Sequence, residues 1–100
     1  MLSTQEQTIA QEIVKYVEAR DSRYARWYVG IARDSADRLF NQHDVSENNG
    51  WWIRRQAGSA AAARDIEQYL LRLGFDGGTG GGDHSTTNVY AYYKTGSTVE

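Results

Sequence analysis

The sequence contains no cysteine, which rules out both a disulfide framework and a thiolate metal site. It also has no apolar run approaching the roughly 20 residues that a bilayer-spanning helix needs. The opening segment MLSTQEQTIA lacks the basic start and apolar stretch of a secretion signal, so a soluble, cytoplasmic protein is the expectation. Strong charge of one sign is missing as well, with a formal net charge of −2. What remains is 40% hydrophobic and 12% aromatic, too rich in aromatics for a disordered chain. One hundred residues suit a single domain over 1–100, able to bury about two thirds of its unfolded surface.

The near-neutral total conceals a gradient. Residues 1–19 hold one lysine against three glutamates, and residues 73–100 hold one lysine against three acids. Between them, residues 20–72 carry nine arginines against seven acids. Any affinity for phosphate therefore belongs to the middle of the chain, where arginine can offer bidentate contacts. The plainer reading is a solvated surface of arginines paired with neighbouring acids, each pair worth little.

Helical and strand periodicities alternate along the chain. Ser3 or Thr4 caps a helix to about Arg20, with Ile9, Ile13, Tyr16 and Val17 on one face. Tyr24–Ala32 reads as a strand, placing Trp27, Val29 and Ile31 on one side and Tyr28 and Gly30 on the other. Asp34 or Ser35 caps a short helix to about Gln42, HDVSENNG is a polar turn, and Trp51–Gln56 is a short strand near an edge. A helix from Ser59 to Leu73 follows, its apolar stripe formed by Ala63, Ile66, Leu70 and Leu73 and its end marked by Gly74. FDGGTGGGDHSTT, with five glycines, reads as a loop before a last strand, Asn88–Lys94. The expected fold is α+β, a small, mostly antiparallel three-stranded sheet covered by helices.

Four features stand in an ordered set: Tyr28-Val29-Gly30, then Arg38-Leu39-Phe40, then His43, then Glu67 within Ala63-Arg64-Asp65-Ile66-Glu67. Arg38 lies ten positions after Tyr28. Over residues 24–73 this set resembles the core of GIY-YIG endonucleases. The family's first strand, with its Gly-Ile-Tyr triplet, is missing upstream of Tyr28. Val89-Tyr90-Ala91-Tyr92 is the candidate to fill that slot in space, in circularly permuted order. The resemblance implies antiparallel pairing of Asn88–Lys94 with Tyr24–Ala32.

It also implies metal-dependent phosphodiester hydrolysis of nucleic acid, DNA before RNA. Glu67 would be the ligand of Mg²⁺ or Mn²⁺, and Arg38 would hold the scissile phosphate. Tyr28 with Tyr90 or Tyr92 would activate water, with His43 assisting proton transfer. Arg33, Arg54, Arg55 and Trp52 are the candidate nucleic-acid contacts, a tryptophan offering a stacking face for a base. Each residue has an ordinary alternative: Glu67 or Arg38 in an ion pair, the latter with Asp34; tyrosines packed in a half-buried sheet; His43 solvated in a turn. The alternative function is a non-catalytic interaction or inhibitor module on the same scaffold, binding a protein partner through its aromatics. Asp83 and His84 form a weak metal pair without a third ligand, and the glycine loop lacks the Gly-Lys-Ser/Thr ending of a phosphate-binding loop.

Overall fold

The computed structural model describes residues 2–78 and 85–100. The candidate metal pair Asp83 and His84 therefore lies outside the described residues. Helix α1, Thr4–Glu18, begins in a reciprocal cap: the Ser3 hydroxyl accepts from the Glu6 amide while the Glu6 carboxylate accepts from the Ser3 amide. Its buried stripe is Ile9, Ala10, Ile13 and Val17. Strand β1 is Trp27–Ala32, β2 is Trp52–Gln56, α2 is Ala60–Leu73, β3 is Asp76–Gly77 and β4 is Asn88–Tyr93. Ser59 caps α2 by accepting from the Ala62 amide, and Gly74 ends it at φ 117°, a left-handed conformation that a side chain would strain.

The sheet order is β2-β4-β1-β3. Strand β4 pairs antiparallel with β1 from Trp27↔Tyr93 to Ala32↔Asn88, the expected pairing of the distant strands, and with β2 on its other side. The expectation of three mostly antiparallel strands needs correction. A fourth strand, β3, runs parallel to β1 through Tyr28↔Asp76 and Val29↔Gly77, so the sheet is mixed. It lies inside the glycine-rich segment read as loop. Two residues are too few to show a periodicity.

Two boundaries also differ. Tyr24–Arg26 forms a 3₁₀ turn instead of opening the strand, and the Tyr24 ring stacks on Phe75 with centroids 5.2 Å apart. Regular pairing begins only at Trp27, opposite the last residue of β4. The short helix after Asp34 is wider than expected: over Asp37–Gln42 it takes π geometry, with the His43 amide donating five residues back to the Arg38 carbonyl.

Alternation divides the sheet into two chemically different faces. Trp27, Val29, Ile31, Ile53, Val89 and Ala91 join α1 and α2 in the main core. The other face gathers Ala32, Leu39, Val45, Tyr90 and Tyr92 into a smaller cluster, with Tyr28, Phe40 and Trp52 against it. Of the α2 stripe, Ala63, Ile66 and Leu70 are buried, but Leu73, the last helical residue, is 37% exposed. Leu70→Ala is expected to cost about 2–5 kcal/mol, the range for truncating a fully buried leucine, read as a lower denaturation midpoint at unchanged slope.

Candidate functional site

The second face of the sheet is built from rows of side chains running across the strands. One row is Trp52, Tyr92, Tyr28 and Asp76; the next is Arg54, Tyr90 and Gly30. Gly30 has a specific reason to be glycine. A Cβ placed there would lie 2.5 Å from Cζ of Tyr90 and 3.0 Å from Cε1, well inside contact distance. The Tyr90 ring thus lies directly over the backbone of β1, at 1% exposure.

His43 stands at the end of the π-helix and is 6% exposed. Its Nε2 is 2.8 Å from the Tyr90 hydroxyl and its Nδ1 is 2.6 Å from the Val99 carbonyl, with the Tyr92 hydroxyl 3.1 Å from Nδ1. The ring also packs against Tyr28, with centroids 5.0 Å apart. Burial lowers the pKa of His43, Arg38 lowers it further, and the Val99 carbonyl acts the other way. The same desolvation pushes Tyr90 up to about 12 and raises Tyr92 and Tyr28. The nearby Arg38 guanidinium opposes the shift at Tyr90, and the Gly78 amide opposes it at Tyr28.

A concave pocket of about 420 Å³ opens beside these groups. Tyr28, Arg38, Glu67 and Tyr90 all line it, together with Gly30–Ala32, Arg33, Asp34, Ser85 and Thr86. Glu67 belongs to α2, on the other side of the sheet, and lines the pocket together with Gly30–Ala32 of β1. Among the described residues β3 pairs with Tyr28 and Val29 of that strand. Glu67 is 7% exposed, and burial raises its pKa to about 7, with Arg64 pulling weakly downward. Arg38 is exposed and, among the described residues, forms no ion pair. Its contact with Asp34 is only between backbones, at 3.2 Å. Asp37 is occupied by the side-chain amides of Asn41 and Gln42, which hold its pKa down.

The structure brings together Tyr28, Arg38, Glu67 and Tyr90, with His43 and Tyr92 one hydrogen bond behind the wall. Arg33 lines the pocket, and Arg54 stands beside Tyr90, its guanidinium 3.4 Å from the Ser35 hydroxyl. Two proposed contacts are not there. Arg55 falls on the helix-covered face, by the parity of the strand, and its Nε pairs with Glu12 at 2.9 Å. Trp52 is half-buried against Phe40, with its indole N–H donating to the Glu47 carbonyl at 3.1 Å. The exposed tryptophan is Trp51, at 42%, stacked on Trp27 away from the pocket. Sequence reasoning missed Ser85, Thr86 and the Val99 carbonyl, none of which belongs to a spacing pattern.

Three carboxylates line the pocket, those of Glu67, Asp34 and Asp37. Among the described residues no group of three or more His, Cys, Asp or Glu that could hold a metal ion is found, so the three do not form a ready cage. Glu67 beside hydroxyl-bearing side chains fits a cation that keeps most of its water, which is the habit of Mg²⁺. Among the described residues no helix is long and apolar enough to cross a membrane. Comparison with family models, with curated proteins and with solved structures finds no match to this chain.

The raised pKa of Glu67 has a measurable consequence. Between its ordinary 4.5 and about 7, the unfolded chain releases a proton that the folded protein keeps, so stability falls as pH rises through that window. Glu67→Gln removes the liability. The variant is expected to gain on the wild type between those two values, reaching an advantage of about 1–3 kcal/mol above them. Denaturant melts across the pH range check this, and an advantage independent of pH would mean that Glu67 is not held neutral.

Proposed function

We propose that this protein is a small metal-dependent nuclease of GIY-YIG type with its first strand moved to the C-terminal end of the chain, hydrolysing phosphodiester bonds in nucleic acid, DNA before RNA. The observation that carries this reading is the convergence of Tyr28, Arg38, Glu67 and Tyr90 on one pocket, from β1, the π-helix, α2 and β4. These elements are spread over the whole chain, and ordinary packing has no need to gather them. The antiparallel β1–β4 pair is the pairing that the resemblance implies.

Hydrolysis needs a bond from a water oxygen to phosphorus, a broken bond to the leaving oxygen, and a place for the water's proton. In this reading Arg38, free of ion pairing among the described residues, holds a non-bridging oxygen of the phosphate as negative charge builds there. Tyr90 takes the proton from water while passing its own to Nε2 of His43, its partner at 2.8 Å. Tyr28 positions the water from the same wall, and solvent protonates the leaving oxygen. Glu67 would hold Mg²⁺ or Mn²⁺, which supplies electrostatic stabilisation of the phosphate oxygens. Arg33 and Arg54 border the pocket and supply non-specific phosphate contacts.

Arg38→Ala is expected to lower plasmid nicking in Mg²⁺ by about a hundredfold or more, the scale of losing one transition-state donor, with affinity for DNA much less affected. Absence of metal-stimulated cleavage by the wild type on single- and double-stranded DNA and RNA would end the nuclease reading. One observation favours a second function in that event. Trp51 is 42% exposed, stacked on Trp27 and backed by the tilted ring of Tyr93, an aromatic anchor of the kind that dominates protein interfaces.

A further inference from the structure

The segment after β4 is folded back with more definition than a chain end requires. At its start, the Thr95 amide donates to the Thr98 hydroxyl at 3.0 Å and the Thr98 hydroxyl donates to the Thr95 carbonyl at 3.1 Å, closing a turn. The turn brings Val99 against His43, where two backbone-directed contacts form. The Val99 amide donates to the His43 carbonyl at 2.7 Å, and the Val99 carbonyl lies 2.6 Å from His43 Nδ1. Glu100 anchors the end on Lys94 at 3.5 Å. The Val99 side chain itself is 52% exposed, so apolar burial does not explain why the segment lies here.

A carbonyl oxygen carries no proton. At 2.6 Å from Nδ1 it would face a lone pair unless the ring proton sits on Nδ1 and donates to it. The Tyr92 hydroxyl, 3.3 Å from the same carbonyl, donates there too and does not compete for the role of acceptor at Nδ1. In a neutral ring the proton on Nδ1 leaves Nε2 as the acceptor, and the Tyr90 hydroxyl is 2.8 Å from it. We propose that Val99 is a positioning residue: through its carbonyl, the strap 95–100 fixes His43 as the Nδ1–H tautomer, so that Nε2 is the atom able to receive the Tyr90 proton.

The proton path then runs from the pocket through Tyr90 to His43, with the strap carbonyl behind it to steady the positive charge that the ring acquires. A backbone acceptor suits this place. It cannot titrate, and the Val99 amide bonded to the His43 carbonyl keeps the same residue beside the ring. The functional part of the assignment rests on the nuclease reading, whereas the tautomer does not.

Two sets of measurements separate them. Long-range ¹H–¹⁵N correlation on the full chain, at a pH where the ring is neutral, should show a protonated, pyrrole-type Nδ1 and a pyridine-type Nε2 for His43. The reverse pattern overturns the proposal without any variant. Tyr92→Phe should leave the tautomer unchanged, because the carbonyl remains; a switch would move the role to Tyr92 and equally overturn it. Deleting Thr98–Glu100 should shift His43 toward Nε2–H and lower kcat by about tenfold or more with KM within about twofold, as for loss of an outer partner of a site histidine. Retention of Nδ1–H after the deletion refutes the strap as its cause. If the wild type cleaves no nucleic acid, the nuclease reading falls while the spectra still decide the tautomer, and if the shortened chain does not fold, the full-chain and Tyr92→Phe spectra decide it.

Discussion

The Tyr90 ring can occupy its position only because residue 30 has no side chain. The two residues face each other across the β1–β4 pair, and any Cβ on Gly30 would overlap the phenol. With that space open, the end of the ring sits over Gly30 at the pocket wall, with its hydroxyl 2.8 Å from Nε2 of His43. A Tyr90 lifted off the sheet would lose that hydrogen bond and leave a buried imidazole nitrogen without a partner, a cost of about 1–3 kcal/mol. Most of the site follows from this contact. His43 is held by it on one side and by the strap on the other, and Tyr92 and Tyr28 pack around the same imidazole. The glycine of the Tyr-Val-Gly triplet is thus a packing requirement imposed by a residue sixty positions away.

Stability and chemistry are assigned to opposite faces of one thin sheet. The aliphatic face takes α1 and α2 and is continuous from Ile9 to Ala91. Among the described residues the tyrosine face is covered by the π-helix, the segment through Val45 and the strap, and the pocket lies beside them. Glu67 is the exception to the division. It sits one position from Ile66 on a helix that otherwise serves the core, and burial at 7% exposure disfavours its charged form. A helix optimised for stability alone would carry an apolar or solvent-facing residue there. Among the described residues β3 pairs with β1 at Tyr28 and Val29, and Glu67 lines the pocket beside the next residues of that strand, Gly30–Ala32.

Much of this architecture was legible in the sequence because alternation and capping are local. Trp27, Val29 and Ile31 on one face, Tyr90 and Tyr92 on the other, and Ser59 and Gly74 at the two ends of α2 can all be read from neighbours within a few residues. The pairing of β1 with β4 is not local, and only the resemblance suggested it. What sequence reasoning lost depends on parity and on backbone. Adjacent residues such as Trp51 and Trp52, or Arg54 and Arg55, point to opposite faces, and a strand seen alone does not say which face carries the site. Arg55 went to Glu12 and Trp52 to Phe40 for that reason. The Val99 carbonyl was out of reach in a stricter sense, because a main-chain oxygen leaves no mark on the identity of its residue.

The pKa shifts around Tyr90 share one cause. Burial lowers His43 and raises Glu67, Tyr90, Tyr92 and Tyr28, so that each of these five groups is driven toward its neutral form. Asp37, which also lines the pocket, goes the other way, its pKa held down by the side-chain amides of Asn41 and Gln42. Arg33 and Arg38 are both exposed at the pocket, beside Asp34 and Asp37, so guanidinium groups and carboxylates both meet whatever enters. In the proposed nuclease, a phosphate diester bound at Arg38 would weaken the cation's unfavourable effect on a protonated His43. Binding and proton transfer would then favour each other, because the bound diester would make His43 a stronger base.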